Sequence, residues 1–371
     1  MQNLEGMDTM EQMLVHKAYA RRVPVNGSLE LLPLCNMNCD MCYVRLSKEE
    51  MEQKGQLRTK DEWLALARQM KDAGTLFLLL TGGEPLLFLE FKQLYKELQN
   101  MGMILTINTN GTLLDEQWAD FFAKHKPRRI NITLYGADDK VYEELCHYKG
   151  GFAKTIRAIK LLRERNIDVK INGSITSKNE EDIKKILDIA KQCDAAVNLD
   201  TYMYPASRER NKPFDEQSRM HPKEAAMARL LILKHQWEKD ALEEYKRSVI
   251  NAVENYDPQN NGYNRHMSCL AGNCSFTINW QGMMRPCVMQ SVPQANVFED
   301  GFIQSWQKIS TKTDEILINE ECISCKYRPI CNICAVAALL ETGDYEGIPQ
   351  YICEYTKEFY KILKEGDKND R

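Results

Sequence analysis

The sequence predicts an α/β fold: a partial (β/α)6 barrel followed by an irregular, cysteine-rich C-terminal module. Three observations carry that reading. Short apolar strand patterns alternate with amphipathic helical patterns between residues 28 and 202, which is the signature of parallel β/α units. Six such units fit in about 175 residues, whereas a closed eight-unit barrel takes about 250. Eight of the 13 cysteines then crowd between Cys269 and Cys353, where periodic patterning fades. A segment that irregular needs cross-links, and metal clusters can supply them.

The elements follow in order. A leading helix is expected over 8–21, a first strand over 28–32, and an amphipathic helix (DEWLALARQM) over 60–73. Strand 76–80 (LFLLL) precedes a helix over 88–101, and strand 104–108 precedes one over 115–124. Strand 129–134 leads to helix 152–165, strand 168–175 to helix 180–192, and strand 196–202 closes the series. Residues 216–255 are highly charged, with apolar positions at helical spacing (AAMARLLILKHQW), and read as a helical connector. Residues 256–353 show short hairpin signals such as FTINWQGMMRPC, and the terminal KEGDKNDR is expected to fray. The organisation is thus an N-terminal segment (1–26), the partial barrel (27–215), the connector (216–267), a cysteine module (268–353), and a C-terminal helix and tail (354–371).

Composition excludes several function classes. Hydrophobic residues make up 43% and charged residues 27% of the 371, as in ordinary soluble proteins. The net charge of −4, from 49 basic and 53 acidic residues, argues against a nucleic-acid partner. The longest apolar run is too short to cross a membrane. The polar start MQNLEGMDTMEQ is not a secretory signal, so the expected location is cytoplasmic. In a reducing compartment, clustered thiols are metal ligands or buried residues rather than disulfides.

Cys35, Cys39 and Cys42 form a C-x3-C-x2-C loop followed by Tyr43, directly after the first expected strand. A barrel enzyme places its active-site loops there. Three thiolates on one loop can hold three irons of a [4Fe–4S] cube and leave the fourth open. An open position is what a catalytic metal site needs. The alternative is a zinc knuckle, which favours four ligands in paired units, and no partner pair lies nearby.

With that loop the sequence resembles the radical S-adenosylmethionine (SAM) superfamily. The resemblance implies that SAM binds the unique iron through its amino and carboxylate groups. One-electron reduction then yields methionine and a 5′-deoxyadenosyl radical that abstracts a substrate hydrogen. Thr81-Gly82-Gly83-Glu84-Pro85, 40 residues past the loop, resembles the family's segment at the SAM amino group, so Gly82, Gly83 and Glu84 carry over. The glycines are read as letting backbone carbonyls approach a ligand. Thr109-Asn110-Gly111-Thr112 resembles the family's TNG segment. Thr133 and Asn172, on strands four and five, are candidates for the ribose or methionyl group, and Arg208 for the SAM carboxylate. For each of these softer matches a structural polar role is the alternative.

The C-terminal cysteines resemble the SPASM extension of the same superfamily. That resemblance implies Cys269, Cys274, Cys287 and Cys334 at one auxiliary [4Fe–4S] cluster, and Cys322, Cys325, Cys331 and Cys353 at a second, for three clusters in all. Only two residues separate Cys331 from Cys334, where the family usually has three, so ligation by Cys334 stands in question. One or two structural zincs are the alternative. Cys146 and Cys193 fall outside every set and read as buried or incidental thiols.

Two substrate classes compete. Anaerobic sulfatase maturases, which make formylglycine, carry an Asp directly after the cysteine of the G-x4-C segment. Here that residue is Val288, which accepts no proton, and Glu299 and Asp300 are displaced from its position. The stretch ITLYGADDKVYEELCHYKGGFAKTI resembles a segment of the maturases that cross-link ribosomally made peptides through thioether or carbon–carbon bonds. The expected partners are a precursor peptide and an electron donor such as flavodoxin or ferredoxin; with only about 27 residues before the first strand, the peptide's leader is expected on a separate protein, on the helical connector or on a loop of the C-terminal module. A small molecule, such as a sugar or an amino acid, is the remaining substrate class. No catalytic acid or base stands out; Tyr135, His147 and Tyr202 are candidates for the pocket mouth.

Overall fold

In the computed structural model, which describes residues 9–204, 206–212, 217–260 and 262–366, helix α1 (Thr9–Arg21) leads into strand β1 (Asn26–Glu30). Next come α2 (Lys48–Lys54), α3 (Lys60–Asp72), β2 (Phe77–Thr81), α4 (Phe91–Asn100), β3 (Ile104–Thr109), α5 (Glu116–Lys124) and β4 (Arg129–Thr133). Then follow α6 (Asp139–Cys146), α7 (Gly151–Glu164), β5 (Val169–Ser174), α8 (Ile183–Gln192) and β6 (Ala196–Asp200). The expected strands all form, and β1 to β6 pair in parallel in chain order. Helices α2 and α6 were not expected. Both are short, and each is started by a side-chain cap: Ser47 with Glu50 in a capping box, and Asp138 accepting from the Val141 amide.

Alternation along the strands defines two faces. Leu105, Ile107, Ile130, Ile132, Val169 and Ile171 are buried and make one face apolar, as packing against the helices requires. The opposite face carries Asn108, Asn131, Thr133 and Asn172, all half-buried. Asn131 Nδ2 donates to Asn108 Oδ1 across the sheet at 2.7 Å. A parallel sheet buried on both sides would be apolar on both. The polar face is therefore the open concavity of a partial barrel.

Beyond β6 lie the short strands β7 (Ala206–Ser207) and β8 (Asn211–Lys212), then α9 (Pro222–Gln236) and α10 (Lys239–Glu254). The C-terminal region holds β9 (Ser275–Ile278), β10 (Met283–Arg285), β11 (Ala295–Asn296), α11 (Val297–Asp300), α12 (Phe302–Asp314), α13 (Glu320–Ser324), α14 (Ala335–Thr342) and α15 (Gln350–Glu365). It is more helical than its sequence patterning suggests. Residues 367–371, where fraying is expected, lie outside the described residues, as do 1–8 of the N-terminal segment.

The hairpin read in FTINWQGMMRPC does form, but as part of the barrel sheet. β9 pairs in parallel with β1, and β10 and β11 continue antiparallel, giving the order β11-β10-β9-β1-β2-β3-β4-β5-β6. The free edge of β1 in an open barrel is a row of unpaired amides and carbonyls, and β9 satisfies it. Gly27 on β1 makes room for Phe276 on β9, whose ring would lie 2.6 Å from a Cβ there. Phe276 in turn meets Phe302 edge-on, with ring centroids 5.1 Å apart. On the other side of the molecule, α9, α10 and α15 share a core of Ala226, Leu230, Val249, Phe359 and Leu363. Among the described residues no helix is long and apolar enough to cross a membrane.

Phe276 thus joins the C-terminal strands to the barrel. Phe276→Ala is expected to cost about 3–5 kcal/mol, read as a lowered denaturant midpoint. An unchanged midpoint would mean the added strands contribute nothing to the stability of the sheet.

Candidate active site

The cysteine loop follows β1 and is held from several directions. The amides of Asn38 and Asp40, on either side of Cys39, donate to the carbonyls of Cys146 and Leu145 at the end of α6, both at 3.0 Å. The Asp40 carboxylate accepts from Lys178 Nζ at 2.7 Å and from Ser218 Oγ at 3.3 Å, and His147 Nε2 lies 2.8 Å from it. These donors hold its carboxyl below the usual carboxylate range against the opposing effect of burial. His147 is therefore a partner of the loop rather than a group at the pocket mouth. Cys35 Sγ accepts from the Met37 amide at 3.4 Å and Cys42 Sγ from the Arg45 amide at 3.3 Å. Burial pushes the Cys35 thiol up to about 12, so its thiolate form needs a cation beside it.

The Thr81–Pro85 turn explains how the loop is placed. The Gly83 amide donates to Leu32 O at 2.8 Å and the Glu84 amide to Leu34 O at 2.9 Å. A Cβ on Gly82, whose φ is +139°, would meet Leu32 O at 2.4 Å, and one on Gly83 would meet Leu34 O at 2.3 Å. The glycines are thus required by the chain's own backbone on its way to Cys35, a closer cause than the approach of a ligand. Glu84 points inward and is fully buried. Its Oε1 accepts from Thr109 Oγ1 at 2.8 Å and the Leu86 amide at 3.1 Å, and its Oε2 from the Asn110 amide at 2.8 Å. The carboxylate ties the end of β2 to the end of β3.

Asn110 completes the cradle. Its Nδ2 donates to Asn36 Oδ1 at 2.9 Å and approaches Cys35 Sγ at 3.7 Å. Its Oδ1 accepts from Thr112 Oγ1 at 2.7 Å, and that hydroxyl accepts from Asn36 Nδ2 at 2.8 Å. Asn36 occupies a variable position inside the cysteine motif, so nothing in the sequence marks it. Thr133 and Asn172 are register neighbours on β4 and β5, at the same end of the concave face.

Arg208 sits elsewhere than expected. Its guanidinium forms a bidentate pair with Glu30, at 2.8 and 2.7 Å, and also donates to Val288 O at 2.8 Å and Glu209 Oε1 at 3.0 Å. Its side chain is 0% and that of Glu30 1% exposed. Pairing with a SAM carboxylate is thus corrected: the fork is occupied by Glu30, which ends β1 and which sequence reading missed. The guanidinium also lies 5.4 Å from the Tyr43 ring centroid. Burial raises the Tyr43 hydroxyl well above its ordinary value.

Of the C-terminal cysteines, Cys274 directly precedes β9, Cys287 lies just past β10, and Cys334, in question by its spacing, stands at the N-terminus of α14; the carbonyl of Cys269 accepts from Asn273 Nδ2 at 2.8 Å. Cys322, Cys325, Cys331 and Cys353 line one pocket together with Arg328, Ile352 and Thr356. Among the described residues, no three Cys, His, Asp or Glu side chains converge as the ligands of a single metal ion. The donor sets of three, four and four thiols fit polynuclear clusters, in which each thiolate takes its own iron. Glu299 and Asp300 are exposed on α11, whereas the carboxylates of Glu30 and Glu209 reach the guanidinium that holds Val288 O. Tyr202 packs edge-on against Tyr204 and Tyr351, as part of an aromatic cluster rather than as a free hydroxyl.

Burial pushes the Glu84 carboxyl up to about 7, against the pull of its donors, from an ordinary 4.5. The folded state therefore holds this proton more tightly than the unfolded state does. That contribution to stability is complete below about pH 4.5 and is lost as pH rises through about 7, amounting to about 3 kcal/mol. Urea unfolding at about pH 5 and pH 8 is expected to show the decline in wild type and a flatter profile in Glu84→Gln. Equal slopes in the two would contradict it.

Residues 29–190 match the radical SAM superfamily. The chain is 24% identical to the AdoMet-dependent heme synthase of Methanosarcina barkeri, over 85% of this chain and 92% of that one. It is 22% identical to the sporulation killing factor maturation protein SkfB of Bacillus subtilis, over 75% of this chain, and spans 63% of SkfB's length. Its fold is shared with Streptococcus suis SuiB, solved bound to its precursor peptide SuiA, with a TM-score of 0.65 at 17% identity over 94% of this chain and 82% of that one. The domain that begins on β1 and carries the cysteine loop is thus the part of the chain that matches the radical SAM superfamily.

Proposed function

We propose that the chain oxidatively cross-links a ribosomally made precursor peptide, using SAM, one catalytic and two auxiliary [4Fe–4S] clusters. Cys35, Cys39 and Cys42 would hold the catalytic cluster, Cys269, Cys274, Cys287 and Cys334 the first auxiliary one, and Cys322, Cys325, Cys331 and Cys353 the second. When bound at Cys35, Cys39 and Cys42, the catalytic cluster would supply the electron for reductive cleavage of SAM and so the radical that would take a hydrogen from the substrate. The chain's own residues do the placing. Asn36, Asn110 and Thr112 fix Cys35, the backbone of Gly82 and Gly83 borders the SAM site, and Thr133 and Asn172 offer polar contacts on the concave face.

One observation carries the oxidative part of this reading. Tyr43 follows Cys42 in the loop, and Arg208, 5.4 Å from its ring centroid, donates to the carbonyl of Val288, next to Cys287. That chain of contacts supports passage of an electron from the substrate side to the first auxiliary set. The likeness to SkfB and the shared fold with SuiB support a peptide substrate. Val288, with no carboxylate in its place, disfavours formylglycine formation. A leader-binding protein and a flavodoxin or ferredoxin donor would complete the system in the cytoplasm. The likeness to a heme synthase along most of its length favours a second reading, a small-molecule substrate.

Anaerobically reconstituted enzyme, SAM, reductant and a candidate precursor peptide, such as a Cys-, Trp- or Lys-rich one from any small open reading frame found beside the gene, would distinguish them. The expected product is lighter than the peptide by two hydrogens. Unchanged peptide mass while SAM is cleaved would reject the peptide reading in favour of the small molecule.

A further inference from the structure

The nine-stranded sheet ends differently on its two sides. At one end β11 has only two residues, Ala295–Asn296, and runs straight into α11. At the other, β6 pairs with β5 alone. The Ile175 amide donates to Asp200 O at 2.8 Å, so the backbone groups of Ala196, Asn198 and Asp200 turn towards β5. Alternation along the strand then turns those of Val197 and Leu199 outward, and among the described residues no backbone hydrogen bond reaches them. Sheet edges are usually blunted by Lys, Pro or a bulge, and β6 (AVNLD) has none of these. Just past its end Thr201 Oγ1 lies 3.1 Å from Tyr355 Oη, so α15 bounds the free edge there. Val197 and Leu199 pack their side chains into the barrel core, which leaves Asn198 and Asp200 on the concave face, both exposed. Asn198 is the register partner of Asn172, itself the partner of Thr133, and Asp200 is the partner of Ser174. The Asp200 carboxylate accepts from the Tyr202 amide at 2.9 Å and forms no ion pair among the described residues.

We propose that the free edge of β6 takes an extended, Lys- or Arg-bearing segment of the precursor peptide as an added strand. This rests on the peptide reading above and says where that peptide lies. The outward amides and carbonyls of Val197 and Leu199 match an extended backbone, whereas a helix has already spent its own groups internally. An added strand lies about 4.8 Å from β6 and points alternate side chains to the concave face. There they continue the row of Thr133, Asn172 and Asn198, so a substrate side chain is delivered beside the residues proposed for SAM. Backbone pairing holds the segment whatever its sequence, and side-chain contacts select it. Asp200 is the selecting contact, because its carboxylate stands at the edge ready for a cationic side chain. A second copy of the chain would offer only AVNLD, which brings no cation.

The test is hydrogen–deuterium exchange, read by mass spectrometry, on the anaerobically reconstituted full chain with SAM, with and without the candidate precursor peptide. On binding, the fragment containing β6 should gain protection at the Val197 and Leu199 amides. Val197→Pro removes an outward donor and leaves the pairing with β5, because an edge strand tolerates Pro where its N–H faces solvent. It is expected to bind the peptide about tenfold more weakly, and Val197→Thr, which keeps the donor, to bind as wild type does. Asp200→Asn should weaken binding of the peptide more than binding of the same peptide with its Lys and Arg replaced by Gln. Where Val197→Pro fails to fold, the exchange of the wild type decides. Peptide that binds while exchange at β6 stays unchanged would overturn the proposal. So would protection of the edge that rises with enzyme concentration in the absence of peptide, which would assign the edge to a second copy. No binding of the peptide at all, with SAM still cleaved, would instead remove the peptide reading on which the proposal stands.

Discussion

The close approach of two backbone segments, the exit of β1 and the turn after β2, is the constraint on which the catalytic loop depends. The carbonyls of Leu32 and Leu34 accept from the amides of Gly83 and Glu84, and any side chain at positions 82 or 83 would collide with them. Cys35 begins one residue later, so its place is set by this contact. Glu84 then carries the constraint sideways. Its buried carboxylate binds Thr109 and the Asn110 amide, and Asn110 reaches back to Asn36 and Cys35. The loop, the glycine turn and the Thr109–Thr112 segment form one closed hydrogen-bonded ring.

A second buried device joins this ring to the C-terminal cysteines. Glu30 and Arg208 pair inside the protein, and the guanidinium also holds the carbonyl that follows Cys287. A buried pair of this kind contributes little net stability, yet removing one partner costs about 3–5 kcal/mol because the other is left charged and unpaired. Its value is in placement. It fixes the β6 exit, the end of β1 and the Cys287 segment relative to one another, while β9 extends the sheet from the β1 edge. A cysteine module that could have hung from the barrel as a separate body is built into its sheet.

Much of this was legible in the sequence, and the illegible parts share a physical cause. The strands β1 to β6 were visible because each is a short apolar run with a helix after it. The cysteine loop and the glycine turn were visible because their spacing is fixed by local geometry. Strands β9 and β10 read as a hairpin, but the parallel partner of β9, β1, is some 250 residues away, and strand pairing at that distance leaves no local pattern. Arg208 was read as a ligand contact because its partner, Glu30, looks like an ordinary residue at a strand end. Cys146 reads as incidental for the same reason: Asn38, whose amide its carbonyl receives, is far along the chain.

The account stands on three separate thiol sets, of which one belongs to the catalytic loop. Iron and sulfide content after anaerobic reconstitution, in wild type and in a Cys35/Cys39/Cys42→Ala variant, tests that most directly. The account predicts about twelve irons in wild type and about eight in the variant. About four irons in wild type, all lost in the variant, would contradict it: the eight C-terminal cysteines would then be zinc ligands or plain thiols, and no auxiliary cluster would exist to accept the electron.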